Sequence, residues 1–112
     1  MVVLATVCIS GYAQDFSDPR YAKWGDTPEQ RRENILNSTF LKESIDNRDY
    51  AAATGYLKAL VEKCPTASEN IYVNGIRLYK NKIARAKTVA EKKGYVDSLM
   101  WVYDLRNQYF GS

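Results

Sequence analysis

The pattern Thr-x-x-Glu/Gln occurs at three points that divide this chain: Thr27 to Gln30, Thr66 to Glu69 and Thr88 to Glu91. In each, the hydroxyl can accept from a backbone N–H that opens a helix, while the longer side chain reaches back to the preceding backbone. Such boxes start helices, and the residues after each repeat apolar side chains at helical steps. Pro28 follows Thr27 at the first helical position, where its missing N–H costs nothing. Ile35, Leu36, Phe40, Leu41 and Ile45 then form the apolar set of a first helix, broken at Asn47-Arg48-Asp49. A second helix starts near Asp49. It carries Tyr50, Ala53, Leu57, Leu60, Val61 and Cys64, and Pro65 stops it. The third carries Ile71, Tyr72, Ile76, Leu78, Tyr79 and Ile83, with Gly75 inside it. A glycine there costs about 1 kcal/mol relative to alanine, so close packing against another helix is expected in return. The fourth runs through Val96, Leu99, Met100, Tyr103 and Phe110 to Gly111, a suitable C-terminal glycine. Short connections make neighbours antiparallel. The expected fold is all-α, two antiparallel helical hairpins over residues 27–112.

Residues 14–26 hold Pro19 and Gly25 without a helical period and are expected to form an extended arm, anchored by Phe16, Tyr21 and Trp24. Residues 1–13 combine an uncharged apolar run, Val2 to Ile9, with the small residues Gly11 and Ala13. This is the pattern of a signal peptide cleaved after Ala13, although its basic leading segment is missing. The run is too short to span a bilayer. Export to the periplasm or cell surface is therefore expected. Cleavage would leave one cysteine, Cys64, and no internal disulfide, so packing alone must hold the fold. Tyrosine occurs nine times; its ring packs while its hydroxyl stays wet, which suits thin layers with few fully buried positions.

The segment from Asp49 to Tyr79 resembles a tetratricopeptide-repeat junction. Tyr50, Ala53, Leu57, Leu60 and Pro65 resemble a repeat's second helix, and Asn74-Gly75 with Tyr79 resembles the first helix of the next. Ile71 stands where a large aromatic is expected, and the chain's first helix lacks the small residue. The runs from Asn47 to Tyr50, Cys64 to Tyr72 and Tyr95 to Asp104 further resemble exported tetratricopeptide-type proteins of the Bacteroidetes. That resemblance implies an extracytoplasmic helical protein, often with more repeats than here; it bears on export and fold rather than on an activity, and protein or peptide binding is the function expected for such a scaffold. Two hairpins are fewer than the roughly three repeats a solenoid needs. Tyr95, Val102, Leu105 and Tyr109 on the last helix stand beside its main apolar set, so a shortened form, dimerisation through that face or cover by the arm is expected.

Two stripes are candidate sites. Asn70, Asn74, Arg77 and Asn81 fall at steps of 4, 3 and 4 on the third helix, about 60° of its surface. In tetratricopeptide repeats such positions line the concave groove, where amides and a guanidinium can hold a peptide backbone or carboxylate. Asp97, Trp101, Asp104 and Gln108 form a similar stripe on the fourth helix. It suits assembly with a second copy, or a glycan stacked on Trp101 with hydroxyls donating to the acids. Arg77, Lys80, Lys82, Arg85, Lys87, Lys92 and Lys93 cluster in the second half, but a net charge of +3 without an aromatic stacking platform does not point to nucleic acid. The chain has no histidine, no zinc-ligand spacing and no glycine-rich phosphate loop. A non-catalytic module without cofactor or metal is expected.

Overall fold

The computed structural model describes residues 15–111. The apolar run Val2 to Ile9 and the cleavage point after Ala13 lie outside the described residues. The described chain is all-helical. A 3-10 helix, Pro19–Trp24, precedes α1 (Pro28–Asp46), α2 (Tyr50–Lys63), α3 (Asn70–Arg85) and α4 (Val89–Phe110).

Local chemistry explains most helix ends. Thr27 Oγ1 accepts from Gln30 N at 3.2 Å, and Gln30 Oε1 accepts from Asp26 N at 2.9 Å, so the first box closes on the residue before the cap. The box at Thr88 closes likewise, with Glu91 N on Thr88 Oγ1 at 3.0 Å and Lys87 N on Glu91 Oε1 at 3.1 Å. Asp49 caps α2 through Ala52 N at 3.2 Å. The turn before it is a Schellman motif: Arg48 N donates to Ile45 O and Asp49 N to Ser44 O, with Arg48 in the left-handed region at φ 63°. The box expected at Thr66 does not form. Glu69 is already helical at φ −62°, ψ −25°, and its carboxylate pairs with Arg106 Nε of α4 at 2.8 Å. Ser68 Oγ accepts from Asn70 N instead. The helix therefore starts later than a Thr66 cap would place it, and the Glu69 side chain reaches across to α4 instead.

The arm also differs from expectation. Asp18 accepts from Arg20 N at 2.9 Å and Pro19 takes the first position, so Pro19–Trp24 coils rather than extends. Arg31 of α1 ties it down, Nε to Gly25 O and Nη1 to Phe16 O, both at 2.8 Å. Asn34, only 4% exposed, donates to Trp24 O at 2.7 Å. Among the helices the arm packs on α1 alone, so it does not cover α4.

The most extensive packing joins α1 to α2 and α3 to α4, and α3 also touches both α2 and α1. Gly75 marks the closest approach. A Cβ built there would lie 3.1 Å from Val102 Cγ1 of α4 and 3.2 Å from Leu57 Cδ1 and Cδ2 of α2. The glycine therefore lets α3 sit tightly between two helices, which is the return expected from it. The core spreads along this line from Leu41 and Ile45 through Leu57 and Leu60 to Ile71, Tyr72 and Leu78. The Cα trace measures 58 × 33 × 17 Å with a radius of gyration of 16.8 Å. A compact chain of this length has about 13 Å, so the molecule is a slab with little interior.

On α4 the inward face is rotated from the expected one: Leu99 and Phe110 of the expected set pack against the core, but Val96 and Met100 do not. Val102 is fully buried, and Leu99, Leu105 and Tyr109 pack beside it. Val96 and Met100, expected in the core, are 37% and 52% exposed. Apolar and polar residues are both spread around the whole helix, so periodicity alone does not select a face. The slim branched side chain of Val102 fits against Gly75, and that contact sets the rotation.

Candidate functional site

The four residues of the α3 stripe share a face but not a common state. Asn70 is exposed at the first turn, and Asn74 and Asn81 are half-buried. Arg77 Nη2 pairs with Asp46 Oδ1 of α1 at 2.5 Å, and Lys42 reaches the other oxygen of Asp46 at 3.0 Å. The hydrogen bonds from Arg77, then Lys42, hold the Asp46 carboxyl below its usual range. The guanidinium thus bridges α3 to α1, and its fork is not free to receive a ligand.

The α4 stripe divides. Asp97 and Trp101 line a groove of about 300 Å³ together with Ser98 of α4, Lys58 of α2 and Tyr79 of α3. Asp104 and Gln108, both exposed, lie farther along the helix and take no part. The groove exists because α2 and α4 both pack on α3 and not on each other. Their side chains form its walls and Tyr79, 3% exposed, forms its floor. Burial raises the pKa of Tyr79, partly offset by its hydrogen bond with Ser98. Trp101 is 37% exposed at the rim.

Lys82 borders the same floor. Its Nζ lies 5.6 Å from the Tyr79 ring centroid and 5.0 Å from that of Tyr95, and it donates to Thr54 Oγ1 of α2 at 2.9 Å. Burial, and secondarily the charge of Lys58, lower its pKa. Neither Lys58 nor Lys82 has a carboxylate partner among the described residues. Asp97, by contrast, has Lys93 one turn earlier at 3.4 Å. Ser98 follows from helix spacing, three residues before Trp101, but Lys58 and Tyr79 were not predictable as its partners, because nothing in their spacing shows that α2 and α4 flank one helix.

A larger cavity, about 420 Å³, lies where the arm meets α1 and the end of α2, among Gly25, Asp26, Gln30, Glu33, Asn34 and Lys63. Its polar groups are engaged in structure: Gln30 on the Asp26 backbone, Asn34 on the Trp24 carbonyl, Glu33 with Lys63 at 3.7 Å. Cys64 is 3% exposed, and burial pushes its thiol up to about 11, so it stays protonated at neutral pH. Among the described residues no helix is long and apolar enough to cross a membrane.

The chain has no significant match to a family model, a curated protein or a solved structure.

Proposed function

We propose that this chain is an exported tetratricopeptide-like module that binds another protein through the outer flank of α4. One relation carries the reading. Leu57, Leu60, Val61 and Cys64 stand eight, eleven, twelve and fifteen residues after the cap Asp49. Val96, Leu99, Met100 and Tyr103 stand at the same offsets after the cap Thr88. On α2, Leu57, Leu60 and Cys64 are buried. On α4 no described helix lies over the matching flank; Leu99 is half-buried against the core, and Val96 and Met100 are open to solvent. Stacked helix pairs bury such a flank under the next pair. The pairing of α1 with α2 and of α3 with α4, with α3 touching both earlier helices, supports the same arrangement. The partner supplies the missing apolar surface, whether it is a different protein or a second copy. The Asn70, Asn74 and Asn81 amides offer an additional polar contact on α3.

The test compares wild type, Met100→Glu and Asn74→Ala. Light scattering at several concentrations reads self-association, and a pull-down from the envelope fraction reads foreign partners. Met100→Glu is expected to abolish whichever association wild type shows, and Asn74→Ala to weaken it slightly. Retention of every partner by Met100→Glu refutes the docking surface. Recovery of the protein with Gln14 at its N terminus supports export, and an uncleaved cytoplasmic chain refutes it.

A further inference from the structure

The groove between α2 and α4 is chemically unlike the apolar flank proposed for a partner, and it lies on the opposite side of α4. It combines an aromatic ring at its rim, an acceptor one turn away and the cation Lys58 on its far wall, with Lys82 beside the Tyr79 floor. Trp101 supplies flat apolar area, of the kind that packs on the C–H face of a sugar ring. Asp97 is acceptor-only when ionised and suits hydroxyl donors beside that ring. Lys58 and Lys82 are the unmatched element, since neither has a carboxylate partner among the described residues and the acid that lines the groove, Asp97, is paired with Lys93. A neutral sugar would use Trp101 and Asp97 and leave both ammonium groups without a counter-charge. A ligand carrying its own carboxylate or sulfate would use Trp101 and Asp97 and also give Lys58, and Lys82 beside the floor, a counter-charge.

We propose that this groove binds an acidic saccharide, with its ring against Trp101, its hydroxyls on Asp97 and its acid group toward Lys58 and Lys82. The partial burial of Lys82 strengthens such an ion pair relative to one in open water. The lowered pKa of Lys82 is consistent with an ammonium that has lost water without gaining an anion. Asp97 disfavours the dense, adjacent charges of a nucleotide polyphosphate, whereas the acid groups of an acidic saccharide are one per ring, with uncharged hydroxyls between them for Asp97 to accept from.

The test titrates the full chain with trigalacturonate, with the neutral galactose trimer of the same length, and with AMP. Calorimetry and tryptophan emission are read at low and at high salt. Trigalacturonate is expected to bind at least about tenfold tighter than the neutral trimer, with the advantage shrinking at high salt. Lys58→Glu is expected to lose about tenfold or more in affinity for trigalacturonate. Lys80→Glu, an exposed charge change on α3 outside the groove, is expected to change it less than about twofold. Trp101→Phe retains a ring for packing and removes the ligand-dependent emission change, separating Trp101 from Trp24. Equal binding of acidic and neutral trimers overturns the proposal, as does tighter binding of AMP, undiminished binding by Lys58→Glu, or no binding of either trimer by the folded wild type.

Discussion

Gly75 gives the sharpest test of the packing, because the chain contains its own controls. Gly55 in α2 and Gly94 in α4 are also helix-interior glycines, and a Cβ built on either meets nothing within 4 Å. Alanine at those two sites gains helix propensity and reduces the freedom of the unfolded chain. Each should raise stability by about 0.5–1 kcal/mol, or a few degrees in Tm for a domain of this size. The same gain applies at Gly75, but there the new methyl would stand 3.1–3.2 Å from Val102 Cγ1 and both Leu57 methyls. Leu57 and Val102 are both fully buried, so neither can swing into solvent. Overpacking of this kind costs about 1–3 kcal/mol. It outweighs the propensity gain, and Gly75→Ala should lose about 1 kcal/mol net. Thermal and urea unfolding followed by circular dichroism read all three variants on one scale. Val102→Ala removes one of the crowded methyls, so Gly75→Ala should cost less in that background. If Gly75→Ala stabilises as much as Gly55→Ala, α3 is not held between α2 and α4 at this point.

Other expectations follow from single contacts. Arg48 occupies the left-handed position of the Schellman turn, so Arg48→Gly should stabilise by about 1 kcal/mol or slightly less in urea unfolding; a loss of stability would refute the turn. Asn34→Leu removes the donor to Trp24 O; it should cost about 1–2 kcal/mol and shift Trp24 emission to the red while helix content stays constant. Cys64 has a folded pKa of about 11 against an ordinary 9.0. Its stabilising contribution is complete below pH 9 and is lost as pH rises from 9 to 11. That loss is about 2–3 kcal/mol, and Cys64→Ala should show a correspondingly flatter alkaline decline. Tyr72, raised to about 12 by burial and then by Tyr109 and Cys64, should sustain a further decline above pH 10 in both proteins.

Where the determinants are local, the sequence is a sufficient guide. Thr27, Asp49 and Thr88 start helices because a side chain and backbone three residues apart settle the matter. Gly111 ends one for an equally local reason, at φ 70°. Asp18-Pro19 is the same kind of signal, and it points to the 3-10 helix that periodicity cannot detect in six residues. Glu69 shows the limit, since the partner its carboxylate takes, Arg106, lies 37 residues away and the helix starts after it rather than at Thr66. The α3 stripe shows another limit. The common face of Asn70, Asn74, Arg77 and Asn81 is a property of helix geometry, but the engagement of Arg77 depends on where α1 places Asp46. At the α4 groove, Asp97 and Trp101 are visible as neighbours one turn apart. The charges opposite them come from α2 and α3, and become partners only after folding.

The fourth helix carries both proposals, and its lack of a single apolar face is the reason. A helix whose apolar residues are scattered around its axis leaves some of them outside whichever face it buries. Val102 uses the inward direction against Gly75. At 100° per residue, Trp101 and Val96 then lie roughly 140° apart around the axis, on the two flanks left over. One flank meets the lysines of α2 and α3 across a groove. The other matches, offset by offset, the flank of α2 that α3 covers. The two surfaces are therefore separable. Met100→Glu should abolish protein association and leave trigalacturonate binding within about twofold, while Lys58→Glu should do the converse. Competition between saccharide and partner for wild type would place both on one flank, and would refute the division of α4 into two independent faces.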